Sequence, residues 1–205
     1  MSKILWPAGT LLAPLPPALI SSGSVEKPNV MTAAWTGIIA SDPALTYVSI
    51  RPSRYSHEII SKTGEFVINV PNLKLAEATD FCGVKSGRDV NKFEVCHLTA
   101  EKSSKISAPQ IKEAPICLEC KVQNVQKYGS HDMFLAQIVA VSVDDAYLND
   151  DGKLCLEKAG LIAYAHGFYY TLGRQLGKFG FSVEKKKTVK KRMLRARQSV
   201  KNRNM

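Results

Sequence analysis

Ile116-Cys117-Leu118-Glu119-Cys120-Lys121-Val122-Gln123, answered by Met133-Phe134-Leu135-Ala136-Gln137-Ile138-Val139-Ala140-Val141-Ser142-Val143, is the passage on which the fold turns. In the first run Ile116, Leu118, Cys120 and Val122 alternate with Cys117, Glu119, Lys121 and Gln123. A period of two gives a strand one face to bury and another to wet. The second run is more apolar still, and Gly129-Ser130 supplies turn chemistry between the two. The spacing predicts an antiparallel hairpin.

Outward from the hairpin, residues 15–22 read as a first strand, followed by a turn at 23–28. Residues 30–40 read as a second strand, interrupted by small side chains and closed by Ser41-Asp42-Pro43. Residues 45–51 alternate again, with Leu45, Tyr47, Ser49 and Arg51 on one face. Residues 55–62 fit a short helix stopped by Gly64. Residues 66–70 form a strand ended by Pro71, 73–81 a helix, and 83–91 a polar loop. Strands of this length separated by short helices predict a mainly β fold: a closed or nearly closed barrel with peripheral helices. Neither an internal repeat nor a second domain is visible. Residues 1–184 are expected to form the domain, and 185–205 a basic C-terminal tail, helical or disordered.

The formal charge of +10 suggests a nucleic-acid partner until it is located. Residues 1–184 hold 18 Lys+Arg and 18 Asp+Glu, whereas 185–205 hold ten basic residues and no acid. The whole excess is therefore in the tail, and the body needs no polyanionic partner. Val189, Met193, Ala196 and Val200 trace an apolar stripe along that tail. A solubilising extension is the default reading, with nucleic acid or an anionic membrane surface as the tail's alternative partner. Five cysteines, an odd number at irregular spacing, are not a disulfide framework. Cys117 and Cys120 form a C-x-x-C, but three residues apart on a strand they face opposite ways, and no metal site is expected. Pro7, Pro14, Pro16 and Pro17 break the apolar N-terminal stretch that would otherwise imitate a signal sequence, and no apolar run is long enough to span a membrane. The protein is expected to be cytoplasmic.

Four segments carry small, hydroxylated and basic residues beyond the needs of a core. In Asn29-Val30-Met31-Thr32-Ala33-Ala34-Trp35, the small side chains would let a flat ligand lie on the backbone, although taken alone a strand packed closely on a helix is the plainer explanation. In Arg51-Pro52-Ser53-Arg54-Tyr55-Ser56, two guanidinium groups and two hydroxyls precede a helix start, a favourable place for a phosphate. Ser53 or Ser56 is equally a plain N-cap. The loop Ser86-Gly87-Arg88-Asp89-Val90-Asn91-Lys92-Phe93 brings a further hydroxyl and Lys92 to the same anion, or is an exposed connector. In Gly129-Ser130-His131-Asp132-Met133-Phe134, His131 is placed to orient a substrate or move a proton near neutral pH. Cys82 reads as a small buried filler near the loop.

The order and wording of these blocks, with Ser41-Asp42-Pro43, Thr63-Gly64-Glu65-Phe66-Val67-Ile68-Asn69-Val70-Pro71 and Leu176-Gly177-Lys178-Phe179-Gly180-Phe181-Ser182, resemble the flavin reductase-like family, particularly its flavoredoxin branch. The likeness covers about residues 12–183. It implies an FMN-binding split β-barrel of Greek-key type, a homodimer, and an oxidoreductase. Such a protein passes electrons from NADH, NADPH or a protein donor through FMN to flavin or another acceptor; the alternative is a carrier that does not react with NAD(P)H. A redox partner protein or a monooxygenase is the partner implied. Carried over by position, Asn29, Met31, Thr32, Ala33, Ala34 and Trp35 would line the ring and ribityl chain. Arg51, Ser53, Arg54, Tyr55 and Ser56 would surround the phosphate with Ser86 and Lys92, and His131 would be the catalytic residue beside the ring. Tyr164, His166 and Tyr169 would approach from the partner subunit.

Overall fold

The structure, a computed structural model, describes residues 1–183. The expected hairpin is present and longer than the alternation suggests. β8 (Ile116–Tyr128) and β9 (His131–Val143) pair antiparallel, joined by Gly129 and Ser130. They sit inside a seven-stranded antiparallel sheet ordered β2-β1-β5-β8-β9-β4-β3. Its other strands are β1 (Ala18–Gly23), β2 (Pro28–Ala33), β3 (Thr36–Ser41), β4 (Ala44–Ile50) and β5 (Glu65–Val70).

The run expected as one strand over residues 30–40 is two strands, β2 and β3, broken at Ala34-Trp35. That break decides the architecture. β2 and β3 occupy opposite edges of the sheet order, yet only two residues separate them. Two residues span on the order of 10 Å, so the sheet must curl until its edges meet. Trp35 itself extends the β3–β4 ladder by one rung, the Ser49 amide donating to its carbonyl at 2.9 Å.

Strand alternation then sorts side chains between two cores. Ile20, Met31, Ala33, Val48, Phe66 and Phe134 point into the barrel. Leu19, Val30 and Val67, one step out of phase, point outward beneath the helices with Leu75, Cys82 and Phe93. The two C-x-x-C cysteines divide the same way: Cys120 lies in the barrel interior and Cys117 in the outer core. Phe66 and Phe134 are fully buried, and truncating either to alanine removes about 3–5 kcal/mol. Among the described residues, Gln110 Oε1 is the buried side-chain atom left without a hydrogen-bond partner. Asn69 donates to the Leu19 carbonyl at 2.9 Å and accepts from the Ile111 amide at 2.8 Å.

The covering helices follow the sequence signals with shifts at their ends. α1 (Tyr55–Thr63) ends at Gly64, whose φ of 68° only glycine adopts freely and whose N–H returns to the Ile60 carbonyl. The helix expected over residues 73–81 begins as a 3-10 turn, Leu73–Leu75, capped by Asn72, and continues as α2 (Ala76–Val84). A four-residue helix, α3 (Lys92–Val95), closes the polar loop. A two-residue pair, β6 (Ala100–Glu101) with β7 (Gln110–Ile111), lies on the outer core.

A second hairpin escaped the sequence reading: β10 (Ile162–Ala165) with β11 (Phe168–Thr171). It is tied down by reciprocal backbone bonds between Leu15 and Tyr164, 2.8 Å each, and by Leu73 N–H to Gly160 O at 2.9 Å. The first structural unit ends at Leu172. In the second, the described residues 173–183 contain a 3-10 turn at Phe181–Val183. The basic tail of residues 185–205 lies outside the described residues. Among the described residues, no helix is long and apolar enough to cross a membrane.

Candidate functional site

Two adjoining cavities gather the residues singled out from sequence. The smaller, about 200 Å³, is lined by Asn29, Ser53, Tyr55, Ser56, Ser86 and Lys92. The larger, an open cleft of about 450 Å³, is lined by Thr32, Ala33, Ala34, Trp35, Arg51 and His131. Met31 and Arg54 line both. Together the volumes fall in the roughly 300–1,000 Å³ usual for organic ligands.

The smaller pocket is built on the start of α1. Arg54 is its N-cap in an extended conformation, and no side chain caps the helix. Neither Ser53 nor Ser56 is the plain cap that the sequence left open. The His57 amide returns to the Arg54 carbonyl at 3.0 Å, which leaves the Tyr55 and Ser56 amides for a ligand at the positive end of the helix dipole. Ser56 instead accepts from the Asn29 side-chain amide at 2.7 Å, which also reaches Ser22 Oγ at 3.3 Å. Asn29 thus belongs to this pocket rather than to the shelf of small residues.

Lys92 holds the opposite wall and is 4% exposed. Its Nζ donates to the carbonyls of Cys82 and Lys85, both at 3.1 Å. Those carbonyls end α2 and begin the loop after it, so the ammonium closes a helix C-terminus. Of its three N–H donors, one remains for the pocket. Burial, more than any other cause, pulls its pKa down. Cys82 behind it is fully buried, its thiol pushed up to about 12, mainly by that burial.

The strand-on-helix reading of the small-residue segment holds. Thr32 turns outward and donates its hydroxyl to the Thr79 carbonyl of α2, while Gly83 packs against its side chain. The strand is indeed seated on a helix. Ala34 and Trp35, at the break between β2 and β3, still leave backbone and ring surface open to the cleft.

Arg51 differs from expectation. It lines the cleft and not the small pocket, because it follows the last residue of β4 on the side that faces His131. His131 starts β9, its ring centroid 4.6 Å from that of Trp35 at a tilt of 42°, and its Nδ1 is 2.9 Å from Ser130 Oγ. Desolvation first, and then the Arg51 charge, lower its pKa, so the imidazole is neutral at pH 7. Tyr164 and Tyr169 also line the cleft, and they do so from their own chain; His166, at the tip of the β10–β11 turn, is not among the lining residues. The Tyr169 hydroxyl is pushed up to about 12 by burial first and then by the negative charge of Asp80, which also lines the cleft.

Two contacts went unread in the sequence. Arg88 lies over the Tyr55 ring at 5.0 Å, donates to the Ser53 carbonyl at 3.1 Å and reaches Glu58 at 3.1 Å. His57 Nε2 sits 2.8 Å from the Asp132 carboxylate, tying α1 to β9 beside His131. Arginine four residues after a helix is an ordinary loop signal, and nothing in the local pattern marks its partners. The His57–Asp132 pair is 75 residues apart and has no local signature at all.

Comparison with known proteins places this geometry. The sequence matches the flavin reductase like domain over residues 11–172. It is 43% identical over 142 residues to an uncharacterized protein of Archaeoglobus fulgidus, covering 69% of this chain and 78% of that one. Among solved structures, flavoredoxin of Desulfovibrio vulgaris (Miyazaki F) superposes with a TM-score of 0.82 at 31% identity, covering 90% of this chain and all of the other. Flavoredoxin from Methanosarcina acetivorans gives 0.81 at 27% identity, with 90% and 100% coverage. A split-barrel protein from Shewanella frigidimarina gives 0.72 at 26%, with 82% and 86%.

Proposed function

Because the chain belongs to the flavin reductase-like domain family, we propose that it is an FMN-binding oxidoreductase, passing electrons from NAD(P)H or a protein donor to flavin or another acceptor. One observation carries the reading: a small basic pocket at an uncapped helix start opens directly into a cleft walled by small residues and aromatic rings. A phosphate fits the first, with Arg54, the Lys92 ammonium and the Tyr55 and Ser56 amides as donors. A flat tricyclic ring fits the second. The bound flavin supplies the electron-transfer chemistry; the protein supplies position and electrostatics.

The chain's own groups then have separable tasks. Lys92, Ser56 and Ser86 fix the phosphate end. Ala33, Ala34 and the Trp35 ring support the ring face and keep water from it. Arg51 places positive charge in the cleft, and the neutral imidazole of His131 can accept a proton beside it. Ile38, Ile39 and Trp35 are exposed on or beside edge strand β3. That apolar surface supports a homodimer meeting near the cleft.

The likeness to two flavoredoxins favours a second reading, an electron carrier indifferent to nicotinamide nucleotides. Stopped-flow mixing of the FMN-loaded protein with NADH and NADPH separates the two. Rapid loss of flavin absorbance with either nucleotide is expected for the enzyme, and no reaction with both selects the carrier. Failure of the purified protein to bind FMN at micromolar concentration overturns both.

A further inference from the structure

The far end of the phosphate pocket is closed by a loop, and the closure is unusually explicit. Gly87 rests on Asn29 so closely that a Cβ built on it would stand 2.0 Å from Asn29 Oδ1 and 3.1 Å from Tyr55 Cδ1. Asn29 cannot easily withdraw, being held by Ser56 and Ser22. On the other side of this partition lies a further cavity of about 370 Å³, lined by Lys27, Tyr55, Ile59 and Arg88 among others. Asn29, Tyr55, Gly87 and Lys92 line both cavities and so form the wall between them.

Arg88 is what holds the wall shut. The loop is internally folded by Ser86, whose carbonyl accepts from the amides of Asp89 and Val90 and whose hydroxyl accepts from that of Arg88. Its attachment to α1 runs through the Arg88 guanidinium: one nitrogen to the Ser53 carbonyl, another to Glu58, and the plane over Tyr55. Glu58 is itself fixed by Lys62 at 2.7 Å. A planar fork with three simultaneous partners is a use of arginine that lysine cannot copy.

We infer that the Arg88 latch makes the phosphate pocket a blind end that accepts a phosphate monoester and rejects a pyrophosphate diester, so that the protein selects FMN over FAD. The inference rests on the flavin reading above. A monoester ends where the wall stands. A diester must continue, and directly behind the Gly87 wall lies a cavity that could take it. Opening the loop would join the two cavities and offer Tyr55 and Ile59 to an adenosine.

Arg88→Ala and Arg88→Lys, with Glu58→Gln as a variant that leaves the loop sequence intact, test this in titrations with FMN, FAD and riboflavin, read by flavin fluorescence. The wild type should bind FMN at least about tenfold more tightly than FAD. Arg88→Ala should shrink that ratio about fivefold or more, Arg88→Lys and Glu58→Gln partway, with riboflavin unchanged and circular dichroism unaltered. Equal wild-type affinity for FMN and FAD, or an FMN-to-FAD ratio untouched by all three variants, overturns the latch while leaving the flavin site standing. Absence of binding by all three ligands overturns the site, and the latch with it.

Discussion

Replacing Lys92 with methionine separates two tasks that one buried ammonium performs. The side chain keeps its length and loses its charge, so the carbonyls of Cys82 and Lys85, each 3.1 Å from Nζ, lose their donor. Two hydrogen bonds to a charged group contribute about 1.5–3 kcal/mol each, offset by relief of the desolvation that lowers the Lys92 pKa. A net loss of about 2 kcal/mol is expected, lowering Tm by about 4–8 °C for a domain of this size. The third donor is lost to the phosphate as well. FMN affinity should fall about 10- to 100-fold, the worth of one charge-assisted bond, while riboflavin falls less than about threefold. Thermal unfolding followed by near-ultraviolet circular dichroism, together with flavin fluorescence titrations, measures both. An unchanged Tm would refute the capping role, and equal losses for FMN and riboflavin would refute the phosphate role.

Arg51→Ala should weaken FMN and riboflavin by similar factors, since Arg51 faces the ring cleft; a selective loss of FMN would return it to the phosphate. Gly87→Ala must push Asn29 off its hydroxyl partners, and about tenfold weaker FMN binding is expected with little change in Tm, because the loop can open; unaltered FMN affinity would show that the wall yields freely. The pH response of Lys92 has a defined sign. Its folded pKa lies below the ordinary 10.5, so between the two values the unfolded chain binds more protons and flavin-free stability rises with pH. Over the same interval the preference for FMN over riboflavin should decline as the ammonium deprotonates. Parallel titrations from pH 7 to 10.5 read this directly, and a preference constant up to 10.5 would contradict it.

The legible parts were those with local periodicity or punctuation. The β8–β9 hairpin was announced by alternation, and the end of α1 by Gly64. The break at Ala34-Trp35 was not legible, because Thr36 and Gly37 continue a plausible strand; only closure of the sheet requires the chain to change edges there. The β10–β11 hairpin is four residues a side and hangs on backbone bonds to Leu15 and the Asn72 segment, which no side-chain pattern encodes. At the site, residue types were readable and their division between two cavities was not. Arg51 and Arg54 are three residues apart, yet the turn between β4 and α1 sends Arg51 to the cleft alone. Lys92 read as a cation for the anion or as part of an exposed connector, and tertiary structure spends two of its donors on carbonyls.

The seam between β2 and β3 also bears on when the site comes into being. β2 and β3 leave the ribosome one after the other, but what brings them edge to edge is the β8–β9 hairpin, inserted between β5 and β4. Until residue 143 has emerged, the shelf at residues 32–35 has no barrel to lean on. Pairings this distant along the chain form slowly. A nascent or truncated N-terminal half therefore carries every phosphate-pocket residue and is expected to lack the finished cleft beside them.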